Sequence, residues 1–317
     1  MKRIIFLGIA IFSISILFFW MGIFSFNEKY SLISPLPNFL TVTKNSQTST
    51  LDIWEVNIDD KVPEFNPPTI TAASALVYDL TSKKVTYSKN PKKRLPFASL
   101  TKIMTSVIAL ENKKNDDKYV VRKVHLVGED SMGIKAGEKF SLEELLYGLL
   151  LHSGNDAAEV IAGNFPHKRE SFVKAMNNKA KALGIEDTNF TNPTGLEGDG
   201  AQYSTAYDLL IMTNFALSGF PLFEEIVKTP KYKINKTATH AEYLLENETN
   251  LLTTYPGVKG VKTGYTTEAG LCLVTYLDYN GHKIIAVLLN SINRRDEMKQ
   301  LLDYSLKMQA IVPPPHE

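Results

Sequence analysis

Strand signals stand at both ends of the ordered part of the chain, with a long helical stretch between them, and this arrangement leaves few ways to build a fold. Near the start, Ala75–Leu80 and Val85–Ser88 read as two strands around the polar turn Thr81-Ser82-Lys83-Lys84. Near the end, Val258–Thr263, Ala269–Tyr279 and His282–Leu289 read as three more, the last two joined by Asn280-Gly281, a strong short-hairpin signal. In the middle, Ser141 and Glu144 form a capping-box pattern that opens a leucine-rich helix. Helical patterns follow over Asp156–Ile161, His167–Leu183 and Thr205–Leu217, the second closing at Gly184. Arg294–Met308 closes the series as an amphipathic helix. The expected fold is α/β of the α+β type: one antiparallel sheet made from N- and C-terminal strands, a terminal helix packed on it, and an inserted, mainly helical subdomain.

The flanks divide the chain further. Lys2 and Arg3 precede an uncharged run from Ile4 to Phe26, long enough for a membrane-spanning helix, which needs about 20 apolar residues. No Ala-x-Ala-like site ends it, so residues 1–26 read as an uncleaved anchor rather than a secretory signal. With its basic residues inside, everything beyond is expected outside the cytoplasm, on the cell membrane, or free in periplasm or medium if the segment is cleaved. Residues 27–69, with Pro35, Pro37, Pro63, Pro67 and Pro68, read as a linker in which Trp54 and Phe65 can pack on the domain or at the membrane. Residues 70–310 form the expected domain and 311–317 a tail. A net charge of +1 gives no electrostatic reason to expect nucleic acid. The single cysteine, Cys272, excludes an internal disulfide and sits in an apolar strand, where a small buried residue is expected.

Three short motifs carry chemistry. In Leu95-Pro96-Phe97-Ala98-Ser99-Leu100-Thr101-Lys102-Ile103-Met104, a hydroxyl and an amine lie three residues apart at a helix start, close enough for their side chains to meet. Ser99 is the candidate nucleophile and Lys102 its base. In Leu151-His152-Ser153-Gly154-Asn155-Asp156, Ser153 and Asn155 stand where the leucine-rich helix stops. In Val261-Lys262-Thr263-Gly264-Tyr265, a cation, a hydroxyl and a glycine end a strand; such a group can bind a carboxylate, and Gly264 admits a close ligand backbone. Each motif has a structural alternative, as a helix cap, a turn or a protected edge strand. The order matters more than any one of them. Ser171-x-x-Lys174 follows Ser153, and Ser291-x-Asn293 follows Lys262, so neither fits the sequence of helix start, loop and strand.

The ordered set is that of the penicillin-binding and serine β-lactamase fold. Thr71 to about Met308 resembles the low-molecular-mass D-alanyl-D-alanine carboxypeptidases, with similar wording also in Ser131-Met132-Gly133, Asn192-Pro193-Thr194-Gly195-Leu196 and Pro256-Gly257-Val258-Lys259-Gly260. The family commonly has histidine where this chain has Thr194.

The resemblance implies a peptidoglycan stem peptide ending in D-Ala-D-Ala as substrate, β-lactams as covalent inhibitors, and no metal or organic cofactor. Ser99 would attack, with Lys102 as base; Ser153 would relay a proton to the leaving D-alanine; Asn155, Lys262, Thr263 and Gly264 would hold the substrate, the lysine and threonine at its terminal carboxylate. Backbone N–H groups of Ser99 and Tyr265 would form the oxyanion hole. Lys102 can serve only as a neutral amine, buried beside Ser99 and near Lys262. His152 reads as a wall residue. Three alternatives stay open: a D,D-endopeptidase, a β-lactamase, for which Glu186-Asp187-Thr188-Asn189 has a spacing one residue short, and a β-lactam sensor without turnover.

Overall fold

The computed structural model describes residues 54–58 and 66–316, all within one compact unit, Thr48–Glu317. The apolar run 4–26 lies outside them; among the described residues no single helix is long and apolar enough to cross a membrane.

A five-stranded antiparallel sheet is built from both ends of the domain. Its strands are β1 (Ser74–Asp79) and β2 (Lys84–Lys89) from the start, and β7 (Val258–Thr266), β8 (Gly270–Tyr279) and β9 (His282–Ser291) from the end, in the order β2-β1-β9-β8-β7. β1 pairs with β9, which joins the two termini, and β7 is left as an edge. The unbroken apolar run of β9 is explained by cover on both faces. Ile285, Val287 and Leu289 point into the large core beneath the helical region, and Ile284, Ala286 and Leu288 into a second core under the last helix.

The helical region comprises α1 (Lys102–Glu111), α2 (Leu142–Leu150), α3 (Asn155–Gly163), α4 (Lys168–Ala182), α5 (Ala206–Gly219), α6 (Pro221–Val227) and the single turn α7 (Leu251–Thr254); α8 (Arg294–Met308) crosses the far face of the sheet. Ser141 caps α2 with Glu144 in reciprocal bonds, and Thr205 caps α5 through Asp208 N–H. The decoy residues serve structure: Asn293 caps α8, Ser291 donates to Glu297, and Lys174 is exposed on α4.

α1 is the axis of the domain. It packs against α2, α3, α4 and α5, and Leu100, Ile103, Met104, Val107 and Ile108 are at most 2% exposed. The helix is buried on nearly all sides, the pattern of a core helix.

Two hairpins interrupt the stretch read as helical: β3 (Tyr119–Val120) with β4 (Lys139–Phe140), and β5 (Lys231–Ile234) with β6 (Tyr243–Glu246). The first has only two residues per strand. The second has four residues per strand and carries the exposed ion pairs Lys231–Glu246 and Lys233–Glu242 along it. Of the segment 27–69 read as a linker, residues 54–58 and 66–69 are described. Val56 is buried, its N–H donates to the Tyr207 hydroxyl, and Trp54 stands edge-on to Tyr78.

Candidate active site

Ser99 lies in a 3₁₀ turn, Ala98–Thr101, that runs directly into α1 at Lys102. This departs from a regular helix start and tightens the pair, because side chains three apart eclipse on a 3₁₀ turn. Ser99 Oγ and Lys102 Nζ are 2.7 Å apart. Ala98 holds a left-handed conformation, φ 48°, unusual for a residue with a Cβ. Its carbonyl accepts from Thr101 Oγ1, which in turn accepts from Gln202 Nε2. Two glycines let other segments reach the turn. A Cβ on Gly195 would lie 2.1 Å from Ala98 O, and one on Gly264 would lie 3.2 Å from Ser99 N.

Lys102 has no exposed surface. Its Nζ donates to Asn155 Oδ1 at 2.7 Å and to the Thr194 carbonyl at 2.8 Å. Burial, and then the positive charge of Lys262, push its pKa well below the usual lysine value. A neutral amine has two hydrogens and one lone pair. Both other neighbours are acceptors only, so they take the two hydrogens, and the lone pair is left directed at the Ser99 hydroxyl.

The Thr194 carbonyl is set by Asn192, whose Oδ1 accepts from Thr194 N, Thr194 Oγ1 and Gly195 N. The backbone of residue 194 therefore meets the lysine, while its side chain turns back to Asn192. A histidine is not required at 194 for that contact.

Ser153 follows the end of α2 in a left-handed conformation, φ 55°, with Asn155 opening α3. Lys262 on β7 donates to Ser153 Oγ at 3.0 Å and to the Thr263 carbonyl at 3.0 Å. The three motifs thus make two groups of contacts, Ser99–Lys102–Asn155 and Ser153–Lys262, joined through the backbone of residues 153–155. Burial lowers Lys262 to about 8, with Glu248 opposing the shift and Arg294 adding to it. Asn155 faces the lysine, with Nδ2 donating to Glu129 O at 2.8 Å; its Oδ1 is taken, so a substrate carbonyl can use only the second Nδ2 hydrogen. Tyr265 exposes 61% of its surface at the end of β7. Cys272 is buried, which pushes its thiol up to about 11 and leaves it unreactive.

Several residues at the site went unread in the sequence. Asp156 accepts from Ser131 Oγ and from the N–H groups of Met132, Gly133 and Ile134, which pins the loop beside Asn155. Arg294 donates to the Gly264 carbonyl at 2.8 Å. Glu248 accepts from Thr263 Oγ1. One signal was available for the arginine: a cation in the first turn of a helix opposes the helix dipole and needs another partner.

The sequence profile described as peptidase S11, D-alanyl-D-alanine carboxypeptidase, matches residues 61–293. The chain belongs to the D-alanyl-D-alanine carboxypeptidase family. Within that family it is 36% identical over 260 residues to D-alanyl-D-alanine carboxypeptidase DacF of Bacillus subtilis (strain 168), covering 76% of this chain and 64% of that protein. The chain thus spans about two thirds of that relative's length. It is 33% identical over 231 residues to a D-alanyl-D-alanine endopeptidase of Pseudomonas aeruginosa, covering 71% of this chain and 73% of that one. The crystal structure of the Streptomyces K15 DD-transpeptidase superposes with a TM-score of 0.72 at 30% identity, over 77% of this chain and all of that one. The profile match begins ahead of the N-terminal hairpin and ends at residue 293, where the closing helix α8 starts.

Proposed function

We propose that this chain is a serine D-Ala-D-Ala carboxypeptidase that removes the terminal D-alanine from peptidoglycan stem peptides through an acyl-enzyme on Ser99. The observation that carries the reading is the environment of Lys102: buried, depressed in pKa, and hydrogen-bonded so that its lone pair faces Ser99 Oγ.

Ser99 Oγ attacks the carbonyl of the penultimate D-alanine while its proton passes to Lys102 Nζ, the activation that a serine hydroxyl needs. The backbone N–H groups of Ser99 and Tyr265 receive the oxyanion; each such donor contributes about 3 kcal/mol in the transition state. The Gly264 backbone runs close to Ser99 N, which places the following peptide beside it. The proton held by Lys102 is relayed through Ser153, itself held by Lys262, to the nitrogen of the departing D-alanine; that C–N bond breaks, and Lys102 returns to its neutral form. Lys102 then takes a proton from water, whose oxygen attacks the ester, and returns it to Ser99 Oγ as the ester bond breaks. Lys262 and Thr263 bind the substrate's terminal carboxylate. β-Lactams acylate Ser99 by the same first step. The apolar run 4–26 anchors the domain to the membrane, on the strength of its length and its lack of charge.

The endopeptidase reading is supported by the Pseudomonas relative. Glu186, the candidate water-holding residue of the β-lactamase alternative, is exposed. The test is release of D-alanine from a D-Ala-D-Ala pentapeptide by the full chain, with Ser99→Ala as control and crosslinked muropeptides digested in parallel. Release that stops in Ser99→Ala supports the carboxypeptidase. Cleavage of crosslinks alone supports the endopeptidase, and stable penicillin labelling without release supports a sensor.

A further inference from the structure

The carboxylate of Glu248 sits on the two side chains that the proposed function assigns to the substrate's own carboxylate. Its Oε2 accepts from Thr263 Oγ1 at 3.2 Å and stands 3.9 Å from Lys262 Nζ. The lysine is 1% exposed and the glutamate 41%, so a nearly buried cation is met by an anion at the rim of the cleft.

The backbone beneath this glutamate is fixed. Glu248 N–H donates to the carbonyl of Leu151, two residues before Ser153. The preceding Asn247 donates through Nδ2 to the carbonyls of Val227 and Thr229, and accepts from Thr249 N–H. Only the side chain can leave, and its exposure gives it somewhere to go.

We infer that Glu248 is a specificity-determining residue: it occupies the subsite for the substrate's terminal carboxylate and competes with that group for Lys262 and Thr263. This inference rests on the proposed function. Two carboxylates cannot share one ammonium and one hydroxyl at close range without strong repulsion. The internal competitor is tethered, so it acts at an effective concentration in the millimolar range or above. A ligand ending in a carboxylate must therefore displace Glu248, while one ending in a neutral carboxamide has no claim on the same contacts. Glu248 thus compresses the preference for a free C-terminus.

The test compares the full chain with its Glu248→Gln and Glu248→Ala variants on two peptides, one ending in D-Ala-D-Ala and one in its C-terminal carboxamide. The readout is the acid-to-amide ratio of kcat/KM, which does not depend on the fraction of protein that is folded. The inference predicts that the ratio rises about tenfold in both variants, through a lower KM for the acid, as removal of a competing charge at a buried ion site requires. Binding of the two peptides to the Ser99→Ala form, with and without Glu248→Gln, gives the same comparison without turnover. A ratio that is unmoved, or that falls, overturns the inference while leaving the functional reading intact. A wild type that neither cleaves nor binds the acid contradicts both.

Discussion

Asn155 Oδ1 accepts from Lys102 Nζ at 2.7 Å and, with the Thr194 carbonyl, takes the two hydrogens of a neutral amine, which leaves its lone pair toward Ser99. A neutral acceptor there stabilises the amine without favouring the ammonium. Asn155→Asp replaces it with a carboxylate, which favours the charged form and raises the Lys102 pKa. At neutral pH, acylation by benzylpenicillin should fall by about 10²-fold or more, the usual size of a lost general base. Raising the pH should restore part of the rate. An Asp variant with an unaltered rate and pH profile would show that Asn155 does not tune the lysine.

In the proposed mechanism acylation needs Lys102 neutral and Lys262 charged, so the two lysines define opposite limbs of one pH profile. The rate rises with pH through the depressed pKa of Lys102 and falls as Lys262 loses its proton near 8. The profile of kcat/KM should be a bell whose alkaline limb lies near pH 8, with the pair titrating as coupled groups. Stopped-flow acylation between pH 5 and pH 10 measures it; activity still rising through pH 9 would contradict the assignment.

The same burial makes Lys262 a liability for the fold. Its pKa falls from 10.5 to about 8 on folding, equivalent to about 3 kcal/mol of destabilisation wherever the lysine is charged. A lowered lysine pKa means that the folded state binds fewer protons, so this penalty is full below pH 8 and is relieved as the pH approaches 10.5. Lys262→Met should abolish turnover and stabilise the protein at pH 7 by about 1–2 kcal/mol, after the loss of its bonds to Ser153 and the Thr263 carbonyl. That gain should shrink above pH 8. Denaturant unfolding at pH 7 and pH 9.5 checks both statements.

Gly195 combines a positive φ of 91° with contact against the nucleophile turn, where an added Cβ would meet Ala98 O at 2.1 Å and Ser99 N at 2.9 Å. Gly195→Ala should cost more than about 1 kcal/mol of stability from backbone strain alone. It should also slow acylation by about 10²-fold, because a misplaced nucleophile forfeits its alignment. Thermal unfolding and penicillin acylation on one preparation separate the two effects. A variant that is destabilised yet acylates normally would mean that the turn does not depend on this close approach.

The parts of the fold that could be read in advance are those whose physics is local. Asn280-Gly281 can only be a tight hairpin, Ser141 with Glu144 marks one helix start, and the run through Ile284–Leu289 needs cover on two faces. The site was legible as an order of residue types, but less so as a set of partners. Lys102 looks like a surface lysine on an amphipathic helix until four other helices surround it. The Thr194 contact is made by a carbonyl that any residue possesses, so side-chain identity carries no trace of it. Glu248 is one glutamate in a polar loop, brought to β7 only because Asn247 and the Leu151 carbonyl hold that loop in place.

The proposed mechanism requires Lys102 to stand beside Ser99 as a neutral amine. NMR observation of lysine Nζ and Cε in the isotopically labelled chain, with Lys102 assigned by its disappearance in Lys102→Arg, reads that state directly. The account predicts one lysine that titrates well below the surface lysines and is unprotonated at the pH where Ser99 acylates fastest. A Lys102 resonance that titrates with the surface lysines near 10.5 would contradict it.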